Sequence, residues 1–175
     1  MMMIKVGDRL PQATLWELPP PGTDCDLPEL VSFDASQACV DKTIILVGVT
    51  SAFTQTCTQQ HIPGYLELSS HFFALGVDEI WCVAVNDAYV MSAWGKSLGI
   101  NGQIRMLSDG NAGLSMAMGL TRDLSAKGMN IRSQRYSMLL VDGEVKILNL
   151  EPEGKYVVSD AQQLYIQLQG VLDKN

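Results

Sequence analysis

Unbroken apolar runs alternate with periodic ones along this chain. Ile44-Ile45-Leu46-Val47-Gly48-Val49 is short, continuous and rich in β-branched residues, and predicts a strand buried on both faces. After it, Ile62, Tyr65, Leu68, Phe72 and Leu75 recur at three- and four-residue steps, which predicts an amphipathic helix ending near Gly76. The alternation then repeats. Residues 80–85 predict a second buried strand, residues 88–98 a helix through Met91, Trp94 and Leu98, and residues 104–107 a third strand closed by Asp109-Gly110. Residues 112–119 read as a short Met-rich helix.

The remaining segments carry weaker patterns. Residues 4–18 predict two short strands around Pro11. Residues 19–42 predict a long connection opened by Pro19-Pro20-Pro21-Gly22, with Cys25 between Asp24 and Asp26. Residues 121–134 are polar, carry Gly128 and read as loop. Residues 136–141 and 144–150 predict a hairpin around Asp142-Gly143, a strong type I′ turn signal. Ser159 or Asp160 caps a last helix through Leu164, Ile166 and Leu168. The order of elements predicts an α/β fold, a central mixed β-sheet flanked by helices on both faces. Parallel βαβ units gather strand C-termini and helix N-termini on one edge, where sites are usually built.

Composition narrows the class. At 175 residues the chain is long enough for one domain over 1–175 with a proper core. A net charge of −7 argues against nucleic acid or an anionic membrane as partner. No stretch is apolar over a bilayer's span, and residues 1–8 lack the apolar core of a signal peptide. Four cysteines with no short pairing motif predict a reducing, cytoplasmic setting.

One of those cysteines has a special address. Cys57 lies between the first buried strand and the first long helix, where unpaired N–H groups and the helix dipole favour a thiolate. Pro63, further along that helix, predicts a kink. A dithiol motif would need a second cysteine at position 54, where the chain has Thr54. A single activated thiol beside a hydroxyl suits a peroxide: the thiolate attacks one oxygen, becomes a sulfenic acid, and hydroxide or an alkoxide leaves. Lowering a cysteine pKa from ~8.5 to ~6 raises the thiolate fraction roughly tenfold near neutral pH, but lowers its nucleophilicity by a similar factor. Rate must therefore come from groups that polarise the peroxide. Thr54 supplies a hydroxyl. Among the five arginines, Arg132 and Arg135 stand just before the apolar strand at Tyr136 and are the best guanidinium candidates.

Several stretches, in order and over nearly the whole chain, carry a family likeness: Ala52-Phe53-Thr54, Thr56-Cys57, His61-Ile62-Pro63-Gly64-Tyr65, Val85-Asn86-Asp87, Ala93-Trp94-Gly95-Lys96, Arg132 through Met138, and Asn149-Leu150-Glu151-Pro152. The chain resembles a peroxiredoxin of the type-II subfamily. The resemblance implies a thioredoxin-like fold and a peroxidase acting on hydrogen peroxide and alkyl hydroperoxides. By it, Cys57 is the peroxidatic cysteine, Thr54 hydrogen-bonds the peroxide, and Arg135 holds the thiolate and the transition state, with Arg132 second choice. The family loop reads Pro-Gly-Ala-Phe-Thr-Pro-Thr-Cys. Here Thr50, Ser51 and Gln55 replace both prolines and the glycine, which loosens the loop and predicts a slower or less shielded peroxidase. A homodimer is expected by the same likeness.

Recycling has three routes. Val157-Val158 stands where one branch of the subfamily carries a resolving cysteine, which closes that route. Cys82 matches another branch's resolving position, although its apolar strand also reads as packing. Otherwise glutathione, glutaredoxin or thioredoxin attacks the sulfenate. His61, four residues after Cys57, is read as ordering the loop or tuning the thiol. With no further ligand nearby, no metal is expected, and no cofactor. Cys25 and Cys39 read as incidental, and Met91, Met106, Met116 and Met118 as core filler. Two other functions compete: a non-enzymatic redox sensor or holdase, and a cysteine hydrolase or acyl-transferase using Cys57 with His61 or His71.

Overall fold

A computed structural model describes residues 2–20 and 28–172. In chain order its strands are β1 (Thr14–Glu17), β2 (Val31–Asp34), β3 (Thr43–Gly48), β4 (Glu79–Ala84), β5 (Arg105–Ser108), β6 (Thr121–Asp123), β7 (Ile131–Ser133), β8 (Tyr136–Val141) and β9 (Glu144–Leu150). The α-helices are α1 (Ala35–Ala38), α2 (Ile62–Ala74), α3 (Ala88–Ser97), α4 (Gly113–Ala117) and α5 (Ala161–Leu172). Seven strands form one mixed sheet in the order β2-β1-β5-β4-β3-β8-β9, and β6 pairs with β7 alone. The apolar runs β3, β4 and β5 are parallel neighbours, while β8 runs antiparallel to β3 with Gly48 opposite Tyr136.

Side chains alternate across β3 and so feed two cores. Ile45 and Val47 pack with Tyr65, Phe72, Trp94 and Leu164 beneath α2, α3 and α5. Ile44 and Leu46 pack with Trp81, Leu107 and Leu114 on the opposite face, which α1 and α4 help to cover. Helices therefore lie on both faces, and the expected α/β architecture stands. Gly48 is required by this packing, because a Cβ there would overlap the Tyr136 ring. The predicted hairpin turn forms with Asp142 at φ 48° and Gly143 at φ 77°, and Asp160 caps α5 by accepting the Gln163 N–H at 2.9 Å.

Short elements depart from the sequence expectations. Residues 4–18 hold one strand, β1, and a single bridge from Arg9 to Glu144, not two strands. The connection over 19–42 contains β2 and α1, with Asp34 capping α1 through Ser36 and Gln37. The polar stretch 121–134 folds as the β6–β7 pair. Ile166 and Met116 are exposed, whereas Met91, Met106 and Met118 are buried. Cys25 lies outside the described residues.

Candidate active site

β3 and β4 end side by side, and the segment after β3 turns across that edge. Its Ala52 N–H donates to Asn86 Oδ1 at 2.9 Å, and Phe53 takes a left-handed φ of 62°. The Thr54 hydroxyl donates to the Ser51 carbonyl at 2.9 Å, which leaves its lone pairs free. A helical turn starts at Gln55, and residues Cys57–His61 form one π-helical turn that Ile62 closes by donating its N–H to the Cys57 carbonyl. α2 follows, with Pro63 in its first turn. Proline has no N–H and crowds the carbonyl four residues back, so a wider turn here relieves the conflict. The irregularity expected inside the helix thus sits at its start, on the turn that carries both Cys57 and His61.

Cys57 is fully buried. Arg135 lies one residue before β8, and the β3–β8 register carries it to this strand end. Its NH1 donates to Cys57 Sγ at 3.2 Å and lies 3.2 Å from His61 Nδ1. His61 is fully buried, and burial, helped by the Arg135 charge, pushes its pKa down to about 3. It is a neutral ring at physiological pH. The Tyr156 ring stacks edge-on against His61 at 5.3 Å and lies under the Arg135 guanidinium at 5.9 Å. Burial pushes the Tyr156 hydroxyl up to about 12. Thr58 accepts the Trp94 indole N–H at 3.1 Å, which ties the π turn to α3.

Arg132 goes elsewhere. Its Nε donates to the Met129 carbonyl at 2.7 Å, and its NH1 donates to the Val85 carbonyl at 2.9 Å and to Ser51 Oγ at 3.2 Å. It braces the loop and has no hydrogen bond to Cys57. Ser51, which replaces the family glycine, is the residue it grips. Cys82 is buried on β4 in the same core as Cys57, and burial, then the nearby Cys57 charge, raises its pKa well above the ordinary thiol range. Cys39 lies in the opposite core, pushed up to about 12 by burial. Among the described residues, no group of three or more His, Cys, Asp or Glu side chains could hold a metal ion. No described helix is long and apolar enough to cross a membrane.

A cleft of about 440 Å³ lies next to the Cys57 turn, with Thr50, Thr56, Arg135, Glu151 and Tyr156 in its wall, while Cys57 itself is buried behind Thr56 and Arg135. No sequence pattern marks Ser51, Tyr156, Glu151 or Ser159 as site residues. Glu151 was visible only as half of a Glu-Pro pair, and no spacing links it to Cys57. The cluster that does form joins a buried sulfur, a guanidinium aimed at it and a neutral imidazole behind, with a hydroxyl on the adjacent loop. It can hold a thiolate and stabilise negative charge that develops on an oxygen in contact with it.

The Redoxin family profile matches residues 5–165. Peroxiredoxin-2E-2, chloroplastic, of Oryza sativa subsp. japonica is 43% identical over 164 residues, covering 92% of this chain and 71% of that protein. Peroxiredoxin-2B of Arabidopsis thaliana is 36% identical, covering 94% of this chain and 98% of that protein. Among solved structures, reduced Prx3 of Vibrio vulnificus in complex with H2O2 superposes with a TM-score of 0.87 at 38% identity, covering 95% of this chain and 99% of that one. With a thioredoxin-like sheet, a buried thiol at the predicted position and relatives of this extent, the chain belongs to the redoxin family as a peroxiredoxin of the type-II subfamily.

Proposed function

We propose that Cys57 is the peroxidatic cysteine, that Arg135 and Thr54 are its catalytic partners, and that hydrogen peroxide and small alkyl hydroperoxides are the substrates. The observation that carries this reading is the Arg135 NH1 donating to Cys57 Sγ at 3.2 Å. The sulfur attacks one peroxide oxygen in line. An S–O bond forms, the O–O bond breaks, and the second oxygen leaves as hydroxide or alkoxide, which takes a proton from solvent. Sulfur supplies both electrons and becomes the sulfenic acid. Thr54, whose proton is committed to Ser51, accepts the hydrogen of the attacked oxygen, and Arg135 stabilises the charge as it moves from sulfur to oxygen.

An external thiol, from glutathione, glutaredoxin or thioredoxin, attacks the sulfenate through the cleft beside Arg135. A mixed disulfide and water form, and a second thiol releases Cys57. Cys82 is not the resolving thiol in this reading, because its raised pKa leaves it no thiolate to attack with. His61 has no free nitrogen and does not ionise near neutrality, and His71 packs on Tyr165 at 6.1 Å, which speaks against a hydrolase dyad. We further propose a cytoplasmic homodimer that covers the loop around Phe53, an aromatic side chain 54% exposed.

Peroxide treatment with sulfenate trapping tests the core of this. Wild type gains one trapped group at Cys57 and turns over with an external thiol. Cys57→Ser gains none, and Arg135→Met reacts roughly 10²–10³-fold more slowly. Oxidation of Cys57 that no thiol reverses would instead mark a sensor. An unreacted wild-type Cys57 would end the peroxidase reading.

A further inference from the structure

Glu151, almost wholly buried, directs both carboxylate oxygens at one short segment. Oε1 accepts the Val157 N–H at 2.8 Å. Oε2 accepts the N–H groups of Val157, Val158 and Ser159, each at 2.9 Å, and the Ser159 hydroxyl at 2.7 Å. Burial works against this charge, but hydrogen bonds from Val157, the Ser159 hydroxyl, Val158 and the Ser159 N–H outweigh it and hold the carboxyl below its ordinary range. Three consecutive backbone N–H groups converging on one anion lock the segment.

The locked Ser159 turns its carbonyl inward. There it accepts the Tyr65 hydroxyl at 2.7 Å and faces His61 Nε2 at 3.1 Å. A carbonyl can only accept, so Nε2 must carry the single proton of the neutral ring, and Nδ1 keeps a lone pair. That lone pair lies 3.2 Å from Arg135 NH1, and the same nitrogen donates to Cys57 Sγ at 3.2 Å. One NH2 group thus divides its two hydrogens between imidazole and sulfur. The other tautomer, or a protonated ring, would set N–H against N–H and turn Arg135 away. The titratable or charged groups around His61 are Arg135, Cys57, Glu151, Tyr65 and Tyr156.

We infer that Glu151 is a positioning residue for peroxide reduction: through Ser159 it fixes the His61 tautomer, and His61 in turn aims Arg135 at the Cys57 sulfur. The inference rests on the proposed role of Cys57 and adds a residue that touches neither sulfur nor peroxide. Glu151→Gln, which turns an amide NH2 toward the same N–H donors, loosens the segment. His61→Phe keeps the ring volume and removes both nitrogens.

The test is a double-mutant cycle with two readouts, the peroxide rate constant of Cys57 and its alkylation rate by iodoacetamide at pH 6. Each single variant loses roughly tenfold in both. The double variant stays within about twofold of His61→Phe, because the Glu151 effect passes through that ring. Two results overturn the relay: Glu151→Gln melting lower with both rates intact, or its full loss recurring on the His61→Phe background. If Glu151→Gln fails to fold, wild-type imidazole 15N shifts decide. A neutral Nε2–H ring from pH 5 to 8 is required, and an Nδ1–H or titrating His61 refutes it. Should wild-type Cys57 ignore peroxide, the peroxidase reading falls by itself, while the tautomer and alkylation readouts still judge the relay.

Discussion

His61 is fully buried with its pKa pushed down to about 3, whereas an unfolded histidine titrates near ~6.5. Between those values the unfolded chain binds a proton that the folded chain refuses. Stability therefore rises with pH across that window, and it falls on acidification by about 1.4 kcal/mol per pH unit below ~6.5. From pH 7 to pH 5 the loss from this one ring is about 2 kcal/mol. The Glu151 pKa is depressed in the same sense and acts in the same direction of pH: its contribution is present above the usual carboxylate range and is lost as pH falls through its lowered folded value, which lies under the pH 5 to 7 interval. Urea midpoints of wild type and His61→Phe at both pH values isolate the histidine. Wild type is expected to lose about 2 kcal/mol more than the variant on going from pH 7 to pH 5. Equal losses would mean that the ring is hydrated and ionises freely.

At the scale of elements, what could be read from sequence depended on length. β3, β4 and the β8–β9 hairpin were legible because four to seven continuous apolar residues, or Asp142-Gly143, leave little choice of structure. β6 and β7 have three residues each, too few for a period, so their polar sequence predicts loop. β2 and α1 adjoin each other within eight residues and hide each other's pattern. Cys57 could be placed from the strand–helix switch alone. Position before the strand at Tyr136 narrows the guanidinium only to Arg132 or Arg135; Arg135 arrives through the Gly48–Tyr136 register across two strands, and the family resemblance is what ranks it first. Glu151 follows Arg135 by the same logic, its N–H donating to the Arg135 carbonyl at 3.0 Å beyond the β8–β9 ladder. The loop substitutions are testable here. Gln55 opens the helical turn, a position whose N–H has no intrahelical acceptor and where proline is favoured. Gln55→Pro should stabilise the reduced protein by about 0.4–1 kcal/mol and leave the peroxide rate equal or higher. A lower melting temperature would show that the loop no longer tolerates the family residue. Gly48→Ala should cost about 1–3 kcal/mol, since the Tyr136 ring occupies the space.

Across the whole molecule, Cys57 and Cys82 lie in one core, on the same face of the sheet beneath α2 and α5. Proximity in a core does not make them a redox pair. For the two sulfurs to bond, the Cys57 turn would have to leave the pocket it shares with Arg135, His61 and the Trp94–Thr58 hydrogen bond. Each hydrogen bond involving a charged group is worth about 1.5–3 kcal/mol, and the buried core around Cys82 would open as well. An external thiol needs only a local opening of the cleft wall at Thr56 and Arg135 to reach the buried sulfur, and it leaves the core around Cys82 closed. One equivalent of peroxide, with no added thiol, should therefore add one oxygen atom to the intact mass rather than remove two hydrogens. Cys82→Ala should keep the parent's turnover with glutathione and glutaredoxin or with thioredoxin, while losing about 1 kcal/mol of stability to the small cavity left in the core. A two-hydrogen loss that disappears in Cys82→Ala would show that the turn unwinds readily and that the internal thiol, not an external one, captures the sulfenate first.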